Sequence, residues 1–102
     1  RLAHLLSFGV KHAGVTRGEQ GYLWRAQDGT TGEVSSPKVD VTDTTGAGDA
    51  FHGAFALMLA EGRTTPDCAR IACWVAAQKC TRLGGRSGLP DRQRLDDMLA
   101  LN

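Results

Sequence analysis

The spacing of hydrophobic residues changes several times along this chain, and each change predicts an element. Over residues 2–12, Leu2, Leu5, Leu6 and Val10 recur at helical spacing, with Gly9 weakening the middle. Val15-Thr16 is a short apolar step into the glycine-bounded Arg17-Gly18-Glu19-Gln20-Gly21. Tyr22-Leu23-Trp24 reads as a strand, Asp28-Gly29 as a turn, and a further strand is expected over 32–35. Ser36-Pro37-Lys38-Val39-Asp40-Val41-Thr42 is extended and polar, with Val39 and Val41 alternating. Ala54-Phe55-Ala56-Leu57-Met58-Leu59-Ala60 is then apolar nearly all round, the pattern of a core helix. That helix is predicted over 47–61 and ends at Gly62. Thr65-Pro66-Asp67 opens the next, with Thr65 as N-cap and Pro66 in the first helical position. It passes Ala72, Ala76 and Ala77 and ends near Thr81. A glycine-rich loop over 83–90 leads to a last helix over 91–101, with Leu95, Met98 and Leu99 on one face. Strands followed by helices imply an α/β arrangement, although the hairpin-like first half is not a βαβ unit.

Composition narrows the class. The chain has 102 residues, 41% hydrophobic and 23% charged, which fits a folded domain or part of one and argues against disorder. Net charge is +1, with Lys and Arg scattered, so no nucleic-acid footprint is present. No apolar run reaches membrane-spanning length and no signal peptide precedes the first predicted helix, so no membrane partner is expected. Cys68, Cys73 and Cys80 fall in one predicted helix without a C-x-x-C pair or a zinc pattern. Such thiols are expected to be reduced and packed, which points to the cytoplasm. A chain this short leaves about 40% of its unfolded surface exposed when folded. With an apolar helix at 47–61, the segment alone is expected to be marginal or oligomeric, a homodimer being the simplest form.

The chemistry concentrates in Asp43-Thr44-Thr45-Gly46-Ala47-Gly48-Asp49-Ala50-Phe51-His52-Gly53. Glycines and a carboxylate stand where a helix begins, and free N–H groups with the positive end of a helix dipole bind anions there, phosphate above all. Two nucleotide motifs fail. Phe51 occupies the third glycine of a dinucleotide fingerprint, and Ala54-Phe55 follow Gly53 where a P-loop needs Lys and Ser or Thr. The plainer reading, a glycine turn with Asp43 and Asp49 as helix-start acids, would suit a generic Gly-Ala-Gly segment. The full string Asp-Thr-Thr-Gly-Ala-Gly-Asp-Ala-Phe-His-Gly-Ala-Phe, however, closely resembles the C-terminal signature of the PfkB, or ribokinase-like, family of sugar and nucleoside kinases.

That resemblance implies the C-terminal part of a three-layer α/β/α fold. Family members are considerably longer, and Arg1 is not an initiator methionine, so the chain is expected to be a fragment, inactive alone. The implied activity is ATP-dependent phosphorylation of a sugar hydroxyl, with Mg²⁺ bridging the nucleotide phosphates. Phosphoryl transfer needs a carboxylate to receive the hydroxyl proton and donors for the charge on the transferred group. By resemblance Asp49 is the catalytic base and substrate contact, and the backbone N–H groups of Gly46, Ala47 and Gly48 are the anion hole. Thr16, Gly18, Glu19 and Gly21 match the strand-loop along the nucleotide phosphates, joined by Gly48. Glu19 is placed to act through metal-bound water, and Cys73 stands where the family has an adenine-side residue.

The family also implies a monovalent cation, K⁺ among the candidates. Its ligands would be Asp43 and Thr45, with backbone oxygens of Lys79, Arg82 and Gly84. The family's hydroxyl position falls on Gly88, which has no side-chain oxygen, and Ser87 stands one residue away. His4, His12 and His52, and likewise Trp24 and Trp74, read as structural or surface groups. Arg86 could approach a phosphate. The run from Lys79 to Arg86 faintly resembles ketose kinases, including the sulfofructose kinases, but names no substrate. A non-catalytic nucleotide-, phosphate- or partner-binding module is the alternative to the enzyme.

Overall fold

The computed structural model describes residues 7, 9, 11–81 and 89–100. Within them, strands β1 (His12–Thr16), β2 (Tyr22–Ala26) and β3 (Thr31–Val34) form an antiparallel meander in the order β1-β2-β3. A 3-10 turn, Gly18–Gln20, joins the first two strands. Three helices follow: α1 (Ala47–Ala60), α2 (Thr65–Lys79) and α3 (Arg92–Ala100).

β1 departs from the expectation of a helix over 2–12. Most of that range lies outside the described residues, but His12 already pairs with Ala26. His12 and Gly14 are weak strand formers, so no local signal marks the strand. Cross-strand packing decides it instead. Gly14 and Gly32 both stand opposite Trp24 in the register. A Cβ on Gly14 would overlap the Tyr22 ring, and one on Gly32 the Trp24 indole. Missing side chains on the outer strands thus make room for the two large rings of the central strand.

Those rings carry the first core. Tyr22 and Trp24 bury against Phe51 of α1 and Ala69, Ala72 and Cys73 of α2. The rings of Tyr22 and Phe51 lie with centroids 4.8 Å apart. A second core joins the helices to one another through Met58, Cys68, Ile71, Val75 and Leu95. All three cysteines are buried and free, as their helical spacing suggested.

Helix α1 is less buried than its composition implies. Phe51 and Met58 are buried, whereas Leu57 and Leu59 are 47% and 54% exposed. A single sheet-and-helix packing can cover only part of an all-round apolar helix. Thr64, not Thr65, caps α2, its hydroxyl accepting from the Asp67 N–H at 3.4 Å. Pro66 therefore sits in the first turn, where its missing N–H is not needed. Asp91 caps α3 rather than belonging to it, accepting from the Arg94 N–H at 2.9 Å.

Candidate functional site

The connector between β3 and α1 sets the site. Asp43 Oδ1 accepts from the Thr45 N–H at 2.9 Å and from Thr45 Oγ1 at 2.7 Å, a turn built by a short carboxylate on its own neighbour. The turn delivers Gly46 as N-cap of α1 with φ 75°, a left-handed conformation that glycine adopts without steric penalty. Gly48, where the sequence suggested such a requirement, has no positive φ, and a Cβ there would meet nothing within 4 Å.

The first turn of α1 presents unbonded donors. The Ala47 N–H is already given to Thr44 O at 3.1 Å, and the first helical bond runs from the Ala50 N–H to Gly46 O at 2.9 Å. Among the described residues, the N–H groups of Gly48 and Asp49 meet no acceptor. Of the trio Gly46, Ala47 and Gly48 expected from the sequence, only the Ala47 donor is taken, and the Asp49 N–H stands beside that of Gly48. Asp49 is exposed, and its carboxylate has no hydrogen-bond or ion-pair partner among the described residues.

Two cavities flank this turn. One, of about 790 Å³, is lined by Thr16, Gly18 and Gly21 from the β1–β2 connection, by Ala47 and Gly48, and by Cys73 of α2. It brings together the residues expected at the nucleotide, except that Glu19 has only its backbone described, in the 3-10 turn. It also has residues that sequence reasoning did not assign: Ser36, Lys38, Val39 and Val41 from the connector, and Ala76 and Ala77 from α2. The alternation of Val39 and Val41 was the available signal, since no strand partner takes them up. Burial pushes the Cys73 thiol above its usual range, with a hydrogen bond to Ser36 opposing the shift. It is a packed neutral group.

The other cavity, of about 660 Å³, is lined by Thr45, Gly46, Asp49 and Gly53, by Leu57, and by Arg92 at the start of α3. Asp49 and the nucleotide-side residues thus stand on opposite flanks of one helical turn. His52 is exposed and edges onto Phe51. His12 bonds through Nε2 to Tyr22 Oη at 2.9 Å inside the aromatic cluster, a structural place. Burial lowers its pKa.

Of the expected monovalent-cation set, Asp43, Thr45 and Lys79 are among the described residues. Thr45 occupies Asp43 Oδ1 from two atoms. The Lys79 side chain brings Nζ to 3.3 Å from Asp43 O. Arg82, Gly84, Ser87 and Gly88, like Arg86 and His4, lie outside the described residues. Nor do three or more His, Cys, Asp or Glu side chains gather as a metal cage among the described residues. Mg²⁺ generally keeps its waters and binds largely through substrate phosphates, so it would need no such protein cage.

The chain matches the profile of the pfkB family carbohydrate kinases over residues 1–92. It belongs to that family. It is 39% identical over 93 residues to a ribokinase of Schizosaccharomyces pombe, covering 90% of this chain and 29% of that protein. The structure of Arabidopsis thaliana ribokinase complexed with ribose and ATP superposes with a TM-score of 0.87 at 34% identity, covering 95% of this chain and 31% of that one. A fructokinase double mutant from Vibrio cholerae O395, in a form with fructose, ADP and potassium ion bound, gives 0.84 at 28%, covering 96% and 33%. The fold is that of the ribokinase-like α/β proteins, and the chain spans about a third of the length of these relatives.

Proposed function

We propose that this chain is the C-terminal, nucleotide- and phosphate-handling portion of an ATP-dependent carbohydrate kinase, with Asp49 as general base. The observation that carries the reading is the placement of Asp49 and the predicted nucleotide residues in separate cavities on either flank of the α1 N-terminus. In-line phosphoryl transfer needs that separation: donor on one side, acceptor hydroxyl on the other, and electrostatic stabilisation between them.

The chemistry follows from it. ATP lies in the larger cavity, its adenine toward Cys73 and its phosphates along Thr16, Gly18 and Gly21. Its γ-phosphoryl group reaches the unbonded N–H groups of Gly48 and Asp49, where the helix dipole adds to the attraction. On the far flank Asp49 accepts the proton of the sugar hydroxyl. The hydroxyl oxygen bonds to the γ-phosphorus, the bond from phosphorus to the bridging oxygen breaks, and ADP leaves with that electron pair. A Mg²⁺ ion bound to the nucleotide phosphates would neutralise part of their charge. The three buried free thiols suit a reducing compartment, and among the described residues no helix is long and apolar enough to cross a membrane. Both agree with a cytoplasmic enzyme.

A coupled ADP-release assay of the intact protein across ribose, fructose, 2-keto-3-deoxygluconate and nucleosides tests the proposal. Sugar-dependent ADP release is expected with at least one acceptor. Nucleotide binding without release on any of them would favour a non-catalytic module.

A further inference from the structure

Lys79 is a buried charged side chain in an apolar setting, at 0% exposure. Placing an ammonium there is unfavourable unless oxygen atoms replace its water. The fold supplies one such oxygen at the end of α2. Lys79 lies in the last turn, where the negative end of the helix dipole favours a cation, and its Nζ donates to Asp43 O at 3.3 Å. The next residue holds the same segment from another side: Cys80 O accepts from the N–H groups of Thr42 at 2.7 Å and Asp43 at 3.1 Å. Three bonds therefore fasten residues 42 and 43 to the end of α2.

The fastening leads directly to the site. Asp43 holds Thr45 by two hydrogen bonds, Thr45 precedes the left-handed Gly46, and Gly46 caps α1, whose first turn presents the Gly48 and Asp49 N–H groups. A backbone carbonyl facing a buried positive charge is the kind of ligand an alkali ion would also take. A second cation beside Asp43 would meet the ammonium across a low-dielectric gap. We propose that Lys79 is a positioning residue whose ammonium serves as a built-in cation beneath the 43–46 loop, in place of a bound monovalent metal ion.

This inference rests on the kinase reading, and its test separates the two. Rates and melting temperatures of the intact protein are compared in potassium chloride and in tetramethylammonium chloride at equal ionic strength, for wild type, Lys79→Met and Lys79→Arg. Wild type is expected to melt at the same temperature in both salts, with kcat differing by less than about twofold. Lys79→Met is expected to lose on the order of 10²-fold in kcat in tetramethylammonium, as a displaced catalytic loop would. Nucleotide Kd should move far less, potassium or methylammonium should restore part of the rate, and Lys79→Arg should remain indifferent to potassium. A loss of packing alone would not respond to the choice of cation. A potassium-specific rise in wild-type melting temperature or rate would overturn the proposal, and so would a wild-type kcat for Lys79→Met in tetramethylammonium. If Lys79→Met does not fold, the wild-type comparison decides by itself. If no acceptor is phosphorylated in any salt, the kinase reading fails while the melting comparison still decides the cation question.

Discussion

The two flanks of the α1 N-terminal turn are built differently. The larger cavity draws its wall from the β1–β2 connection, the extended connector, α1 and α2, and much of that wall is glycine, alanine, serine and threonine. Small side chains leave backbone accessible, which suits phosphates and a flat base. The smaller cavity is walled chiefly by α1 and the approach to α3, and places the Asp49 carboxylate, without a partner among the described residues, near apolar groups such as Leu57, Met58 and Val75. The difference teaches where specificity can reside. A nucleotide is a constant partner and can be met by backbone from several elements. On the reading proposed above, the Asp49 flank would bring a proton acceptor but, from this chain, few polar groups to tell one sugar from another.

Asp49→Asn should produce the largest effect and an asymmetric one. Asparagine keeps the size but cannot take the proton, so kcat of the intact enzyme should fall by about 10²–10⁴. Nucleotide affinity should stay near wild type, because the other flank is untouched. ADP release and nucleotide titration measure the two sides, and near-normal turnover would remove Asp49 from the role of base.

Gly48→Val probes the divide itself. The added Cβ meets nothing within 4 Å, and Gly48 lines the larger cavity, where the proposal puts the nucleotide. A cooperative melt should persist while nucleotide affinity weakens by about tenfold or more, equivalent to about 1.4 kcal/mol. Calorimetric titration alongside a thermal melt checks both. Unchanged affinity and rate would leave Gly48 as a turn residue.

Gly21→Ala attacks the nucleotide flank through its scaffold. With φ 96° and a new Cβ overlapping Val34 O, the substitution should destabilise the protein by about 1–3 kcal/mol. A shifted denaturation midpoint would show it. Turnover at saturating nucleotide should change less than with Asp49→Asn, since the base lies across the turn.

The smallest effect concerns pH. Burial lowers the His12 pKa below its ordinary value of 6.5, so the unfolded chain binds the proton more readily than the folded one. The stability from neutral His12 is present above about 6.5 and declines as pH falls toward the lowered folded value. Melting temperature should drop over that range in wild type and drop less in His12→Phe. Equal pH profiles would remove His12 as the source.

Much of the fold was legible because local chemistry and burial agree. Asp28-Gly29 marks the turn where Thr30 N–H bonds Asp28 Oδ1 at 2.9 Å, and Pro66 marks the opening of α2. The misplaced cap shows the limit: Thr64 and Thr65 are both competent, and only the helix geometry selects the hydroxyl that reaches Asp67 N–H. β1 was missed because its support is cross-strand, from its pairing with β2 and the Tyr22 ring lying over Gly14.

The string from Asp43 to Gly53 by itself determined that a glycine-rich helix start bears a carboxylate, Asp49 in the first turn of α1, since residue type and spacing suffice for that. Which N–H groups remain free was a tertiary matter, decided when Thr44 O took the Ala47 donor. Tertiary packing likewise left Leu57 and Leu59 exposed while burying Met58, because a uniformly apolar helix does not specify which face is covered. It also turned Lys79 inward. A lysine in the last turn of a helix reads locally as a solvated charge, and only the approach of Asp43 from 36 residues away supplies the oxygen that its buried ammonium meets.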